Sequence, residues 1–161
     1  MNYQVTDIDR KAIFDTANRL GMDPYELGAV LNKESTFDPN VWGGDKGKYY
    51  GVIQFGDYER DEAGLDPKKI GNYTIAEQMP HVEKWLRGRG FKTGMPVNRL
   101  YNTILGGNPD ADMNKADSFG TTVSGSLKSL MKGGKNYTRA QEVLGPSPTY
   151  DQTPTQTAAA T

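Results

Sequence analysis

A glutamate set among apolar residues is the side chain whose position in this sequence points most directly to acid chemistry. Leu27, Val30, Leu31 and Glu34 stand at i, i+3, i+4 and i+7, so on a helix the carboxyl shares the face that the other three bury. A carboxyl held against apolar side chains loses hydration of its charged form, and its pKa rises toward the range where it can hold and donate a proton near neutrality. That is the requirement for a general acid. Few other groups compete for the role. The chain has no Cys and one His, His81, which excludes a disulfide framework, a zinc-thiolate site and a cysteine nucleophile, and leaves metal centres and serine-histidine catalysis poorly supplied. Acid catalysis rests on carboxylates, and no metal or cofactor is expected.

The element that must position Glu34 is well marked. Asp23-Pro24-Tyr25-Glu26 offers an N-cap, a proline at the first helical position and a glutamate three residues after the cap, the pattern of a capping box. The spacing predicts a helix from Pro24 that ends near Ser35, because Phe37-Asp38-Pro39-Asn40 is turn chemistry and Pro39 disfavours helical geometry at Asp38. Glu34 then sits at the helix C-terminus, where the partial negative charge of the carbonyls disfavours a carboxylate further. Lys33 is expected to point elsewhere and to neutralise it poorly.

Around this helix the sequence predicts others. Ile8, Ala12, Ile13, Ala17 and Leu20 recur at helical spacing between a cap at Thr6 and a stop at Gly21, giving a first helix packed on the Glu34 helix. A capping box at Thr74–Glu77 opens a stripe of Ile75, Met79, Val82 and Trp85 or Leu86, in which Pro80 marks a kink or the true start. Pro96 opens a helix with Val97, Leu100, Tyr101, Ile104 and Leu105 on its buried face, ended by Gly106-Gly107-Asn108-Pro109. A last amphipathic segment carries Val123, Leu127, Leu130 and Met131. Residues 37–50 form a long irregular segment beside the acid, and Gly51-Val52-Ile53-Gln54-Phe55-Gly56 is either a strand or a buried turn of helix. At least five helices and no convincing strand pattern make the fold mainly α.

With 161 residues and 35% hydrophobic content the chain can bury one modest core, and a net charge of −1 argues against a nucleic-acid binder driven by phosphate contacts. Met1–Val5 is polar, and no apolar stretch has the length of a signal-peptide core or a membrane span, so neither an export signal nor membrane insertion is expected. Residues 145–161, rich in Pro, Thr, Gln, Ser and Ala, are expected to be a disordered polar tail or linker, leaving 1–144 as the folded domain.

Glu34-Ser35-Thr36-Phe37-Asp38-Pro39-Asn40, a loop, and then Gly51-Val52-Ile53-Gln54-Phe55 resemble, in that order, the catalytic core of the soluble lytic transglycosylases, the goose-lysozyme-like family. Its members carry Glu-Ser-x-Phe-x-Pro, an irregular loop, and Gly-Leu-Met-Gln followed by Phe or Leu. Leu100-Tyr101-Asn102 is similar to the family's Ala-Tyr-Asn-x-Gly, although the next glycine here is Gly106, and the loop between the first two motifs is longer than usual. The stretch from Gln78 through Val82-Glu83-Lys84-Trp85-Leu86 to Tyr101 is similar to the phage- and virion-associated branch.

The resemblance implies a lysozyme-like helical domain with a long loop beside the active-site cleft. It also implies cleavage of the β-1,4 bond between N-acetylmuramic acid and N-acetylglucosamine of peptidoglycan, with Glu34 as the sole acid and base and a 1,6-anhydro ring as product. Ser35 would polarise the leaving-group region, Gln54 would line or brace the sugar groove, and Tyr101 would hydrogen-bond Glu34 or substrate. Trp42, Tyr49 and Tyr50, in the loop beside the acid, are candidates for stacking on sugar faces. The implied setting is a phage particle, with other virion proteins as partners, delivery into the host periplasm, or holin-dependent release from the host cytoplasm.

Other readings stand beside these. A hydrolytic muramidase needs a second carboxylate, for which Asp38, Asp45 and Asp57 are available. A virion module that binds cell wall without turnover is the rival from another class. Tyr101 lies on an apolar stripe and fits core packing as well as catalysis, His81 reads as a surface or packing residue, and Asp45-Lys46-Gly47-Lys48 as a solvated turn.

Overall fold

The computed structural model describes residues 3–150. Among them the chain is mainly helical, with seven α-helices and one two-stranded sheet. Helix α1 (Asp7–Leu20) starts on Thr6, whose side chain accepts from Asp9 N while the Asp9 carboxylate accepts from Thr6 N. It ends at Gly21, whose φ of 67° is the left-handed conformation that glycine adopts without Cβ strain. Its buried face is Ile13, Phe14, Ala17 and Leu20. Ile8, expected on that face, is 74% exposed, because it sits on the first turn away from the core.

Helix α2 (Pro24–Ser35) begins and ends where the sequence predicts. Asp23 caps it through Tyr25 N, but Glu26 does not return a bond to the cap, so the expected capping box is half present. The second Asp23 oxygen accepts instead from the Tyr137 hydroxyl at 2.7 Å. That residue belongs to α7 (Lys135–Leu144), which the sequence reading did not separate as a helix and which forms the broadest contact of α2. The two helices approach closely at Gly28, where a Cβ would stand 2.9 Å from both Ala140 Cβ and Leu144 Cδ1. Helix α1 does touch α2, but packs mainly on α4 (Ile75–Gly88).

The long segment after α2 is more ordered than a plain loop. Strands β1 (Trp42–Gly43) and β2 (Tyr49–Tyr50) pair antiparallel, Trp42 opposite Tyr50 and Gly43 opposite Tyr49. Residues 51–55 form neither a strand nor a helical turn. They make a tight bend in which Tyr50 and Phe55 exchange backbone bonds of 2.9 and 2.8 Å, with Gly51 at φ 92° and Gln54 at φ 59°. A short helix, α3 (Asp57–Ala63), follows; it too was outside the expected set.

Helix α4 carries the expected Thr74–Glu77 capping box and runs through Pro80 without starting there. Helix α5 (Val97–Gly106) uses Pro96 as its N-cap residue, one position earlier than expected, and buries Val97, Leu100 and Tyr101, with Ile104 and Leu105 half-buried. Helix α6 (Val123–Leu130) ends before Met131, which is exposed. The core joins Leu27, Val30 and Leu31 of α2 to Val52, Ile53 and Phe55 of the bend, Met79, Val82 and Leu86 of α4, and Leu100 of α5. Each such side chain contributes about 1.5–3 kcal/mol when fully buried.

Helix α7 ends at Leu144. In the segment expected to be a polar tail, Gly145–Tyr150 has no helix or strand, yet the Gly145 carbonyl accepts from the Tyr25 hydroxyl and Tyr150 donates to Asp15. The remainder of that stretch, 151–161, lies outside the described residues. No helix among the described residues is long and apolar enough to cross a membrane.

Candidate active site

Glu34 stands on the last turn of α2, one residue before Ser35. Although the residue keeps a partly exposed edge, its carboxyl is closely surrounded by protein, and this desolvation raises its pKa to about 7. Three weaker influences act on it: the Tyr101 hydrogen bond and the Lys33 charge pull down, and the Asp117 charge pushes up. Lys33 thus does not point away as expected. It lines the same cavity, but its attraction is outweighed by burial.

Tyr101, buried on α5, donates its hydroxyl to Glu34 Oε2 at 2.8 Å. Its own pKa is driven far up, by burial first and then by the Glu34 charge, so the phenol keeps its proton and acts as a donor. A raised carboxyl with a fixed neutral donor beside it can give up a proton near neutrality and take one back.

The cavity in front of Glu34 has a volume of about 630 Å³ and is lined by Glu34, Tyr49, Gln54, Tyr101, Asp117 and Phe119, among others. Two smaller cavities share its walls. One of about 300 Å³ has Tyr49, Gln54, Ile104 and Leu105 in common with it and adds Trp85 and Arg89. The other, of about 420 Å³, shares Leu105 and Asp117 and adds Asp112 and Lys115. Leu105 lines all three, so the opening in front of the acid adjoins further space along α5.

Gln54 does two things. Its Nε2 donates to the Gly51 and Val41 carbonyls at 3.0 and 3.3 Å, bracing the bend against the β1 segment, and the side chain also lines the cavity. Tyr49, 40% exposed, lines the cavity as expected of a stacking residue.

Other candidates are corrected by their surroundings. Ser35 is buried, with its hydroxyl 2.9 Å from the Leu31 carbonyl and 2.9 Å from that of Val52, so it ties α2 to the bend and does not line the cavity. Tyr50 is fully buried, donates to Asn40 Oδ1 and accepts from Gly71 N at 2.9 Å; it is a core pin with no face for a sugar. Trp42, 46% exposed, lies against the Tyr50 ring at 4.9 Å and under the Arg60 guanidinium at 5.0 Å, outside the cavity lining. None of Asp38, Asp45 and Asp57 lines the cavity: Asp38 is buried and caps its own turn through Asn40 N, Asp45 is exposed on a 3-10 turn, and Asp57 pairs with Arg60.

Asn102 is buried and donates to the Pro109 and Ala111 carbonyls, shaping the chain after α5. His81 packs on Tyr73, with Nδ1 2.8 Å from the Ala63 carbonyl. Among the described residues no group of three or more His, Cys, Asp or Glu is arranged to hold a metal ion.

Sequence reasoning missed three residues. Asp117 and Phe119 line the cavity from the α5–α6 connection, where no periodicity exists to find them. Gln78, fully buried on α4, accepts from Val52 N at 2.9 Å and donates to the Pro39 carbonyl, clamping together the two segments that flank Glu34. Its signal was a glutamine inside an apolar stripe, three residues after Ile75.

Comparison with known proteins gives no match to this chain among protein-family models, curated proteins or solved structures.

Proposed function

We propose that this protein is a peptidoglycan lytic transglycosylase of lysozyme-like fold, cutting the β-1,4 bond between N-acetylmuramic acid and N-acetylglucosamine. The observation that carries the reading is Glu34: a carboxyl with pKa raised to about 7, hydrogen-bonded by Tyr101 at 2.8 Å and lining a cavity of about 630 Å³ that shares walls with two others. In the first step Glu34 gives its proton to the glycosidic oxygen as the C1–O bond breaks and its electron pair leaves with the N-acetylglucosamine side. In the second, the muramoyl C6 oxygen bonds to C1 and its proton passes to the Glu34 carboxylate, restoring the acid. No water is consumed, and the product is a 1,6-anhydro ring. One carboxyl serves both steps because the nucleophile belongs to the substrate, with the advantage of intramolecular proximity.

Tyr101 orients the carboxyl, and Gln54 and Tyr49 support the groove. The motif resemblance adds the setting: a phage enzyme carried with the particle into the host periplasm or released through a holin, with glycan strands as its partner. Hydrolysis by a muramidase is the second reading, and one observation favours it: Asp117 supplies a second carboxylate lining the same cavity as Glu34.

Mass spectrometry of soluble muropeptides, after digestion of purified peptidoglycan by the protein and by Glu34→Gln, decides between them. Anhydro-muramoyl ends that vanish in the variant are the expected result. Reducing ends move the assignment to a hydrolase using Asp117, and no products from folded protein across several wall types move it to a binding module.

A further inference from the structure

Exposed aromatic rings in a cleft have a cost in water that a ligand face can relieve. Phe119 is 65% exposed and Tyr49 40% exposed, and both line the cavity that holds Glu34. They come from separate parts of the chain, Tyr49 from β2 and Phe119 from the connection between α5 and α6. Tyr49 borders the 300 Å³ cavity with Trp85 and Arg89, while Asp117, two residues from Phe119, borders the 420 Å³ cavity with Lys115.

The Phe119 ring is presented on a built turn. Asp117 Oδ1 accepts from both Phe119 N and Thr121 N at 2.8 Å, the Asp117 N–H donates to the Thr121 carbonyl at 2.9 Å, and Gly120 N donates to the Asp117 carbonyl at 3.1 Å. Four hydrogen bonds within five residues hold the backbone of this exposed segment in one shape, so the ring stands in solvent on a fixed support. Such pre-organisation lowers the entropy lost when a ligand stacks on the ring. A sugar of the N-acetylhexosamine class, with an apolar face and hydrogen-bonding edges, matches rings that line one cavity with Glu34, Gln54 and Tyr101.

We propose that Phe119 and Tyr49 are a two-point aromatic clamp for a β-1,4-linked N-acetylhexosamine strand, and that Asp117 is the positioning residue that sets the Phe119 arm. The proposal rests on the glycan-cleaving reading and adds the residues that hold the strand in the cavity of the acid. Asp117 acts here through its hydrogen-bond acceptor, so asparagine can replace it in this role and alanine cannot.

The test is binding of the β-1,4-linked N-acetylglucosamine tetramer to the full chain carrying Glu34→Gln, measured by calorimetric titration, with melting curves alongside. In that background Phe119→Ala is expected to weaken binding roughly five- to ten-fold with an unchanged melting temperature, and Phe119→Trp to restore it. Asp117→Ala is expected to weaken binding similarly, and Asp117→Asn to bind like its parent. Binding by Phe119→Ala within two-fold of the parent overturns the clamp, as does a parent that does not bind the tetramer. Equal loss in Asp117→Asn and Asp117→Ala overturns the positioning role.

The wall-digestion assay keeps the two ideas apart. A wild-type protein that leaves peptidoglycan uncut while the tetramer binds through Phe119 sinks the transglycosylase reading and keeps the clamp. A wild-type protein that cuts walls, with the same KM in Phe119→Ala, does the reverse.

Discussion

The Tyr101 hydroxyl donates to Glu34 Oε2 at 2.8 Å, joining α5 to the end of α2 across 67 residues of sequence. The bond favours the carboxylate, so it restrains a pKa that burial pushes up. Asp117 works in the opposite sense. Tyr101→Phe should therefore carry the alkaline limb of the pH–activity profile above its wild-type position near pH 7, with kcat lowered on the order of ten-fold through poorer orientation of the acid. Asp117→Asn should carry that limb toward acid. Initial rates of wall solubilisation between pH 5 and 9 read both shifts, and movement in the same direction by the two variants contradicts the electrostatic assignment.

Stability should carry the mark of the same carboxyl. The folded-state pKa of Glu34, about 7, lies above its ordinary value of 4.5. As pH rises between those values the unfolded chain releases the proton while the folded chain retains it, so folding is progressively disfavoured, by roughly 3 kcal/mol once pH passes the folded value. Below the unfolded value the difference vanishes. Glu34→Gln, which cannot ionise, should be more stable than wild type at pH 8 by up to about that amount and equal to it near pH 4. Denaturant melts at the two pH values check this, and a variant less stable than wild type at pH 8 refutes it.

Neighbouring tyrosines should behave as different kinds of residue. Tyr50→Phe leaves Gly71 N without its acceptor and should cost about 1–3 kcal/mol of stability with KM unchanged. Tyr49→Ala removes an exposed ring from the cavity and should raise KM several-fold with little change in melting temperature. Paired thermal melts and saturation curves separate the two, and a Tyr50→Phe defect confined to KM would mean the ring reaches substrate after all.

The tyrosine pair also shows where sequence reasoning stops. Adjacent strand residues face opposite ways, and the choice of which faces in is made by the pairing of Trp42 with Tyr50 and Gly43 with Tyr49, in strands too short to leave an alternating pattern. Helix α2 was legible because Leu27, Val30 and Leu31 give a clear period and Asp23 and Pro24 mark its start. Helix α7 was not, because its inward face mixes Asn136 and the small Ala140 with Tyr137 and Leu144, and a small residue that permits close approach adds little to an apolar stripe. Glu34, Tyr49, Gln54 and Tyr101 stand out in the sequence as residues, and the structure brings those four into one cavity. Asp117 and Phe119 depend on a turn folding back toward Glu34, a tertiary fact with no local period to announce it.

Gln78 offers a sharper probe of the scaffold. Gln78→Met, similar in length, removes the acceptor of Val52 N and the donor to Pro39, leaving two buried backbone groups unpartnered. The expected cost is about 2–4 kcal/mol, and activity per folded molecule should fall as well, since the 37–40 and 51–55 segments lose their shared anchor. Chemical denaturation followed by assay of the folded fraction tests both, and full specific activity would show that the clamp serves stability alone.

The close passage of α2 over Ala140 and Leu144 at Gly28 has a geometric corollary. Glu34 lies six residues further along the same rigid rod, about 9 Å by the rise of an α-helix. A methyl group added at Gly28 forces a shift of α2 or of its neighbours on α7, and a shift of α2 carries the Glu34 carboxyl with it. The spacer between two helices, at a position outside the cavity lining, thus bears on where the Glu34 carboxyl stands relative to Tyr101 and the cavity.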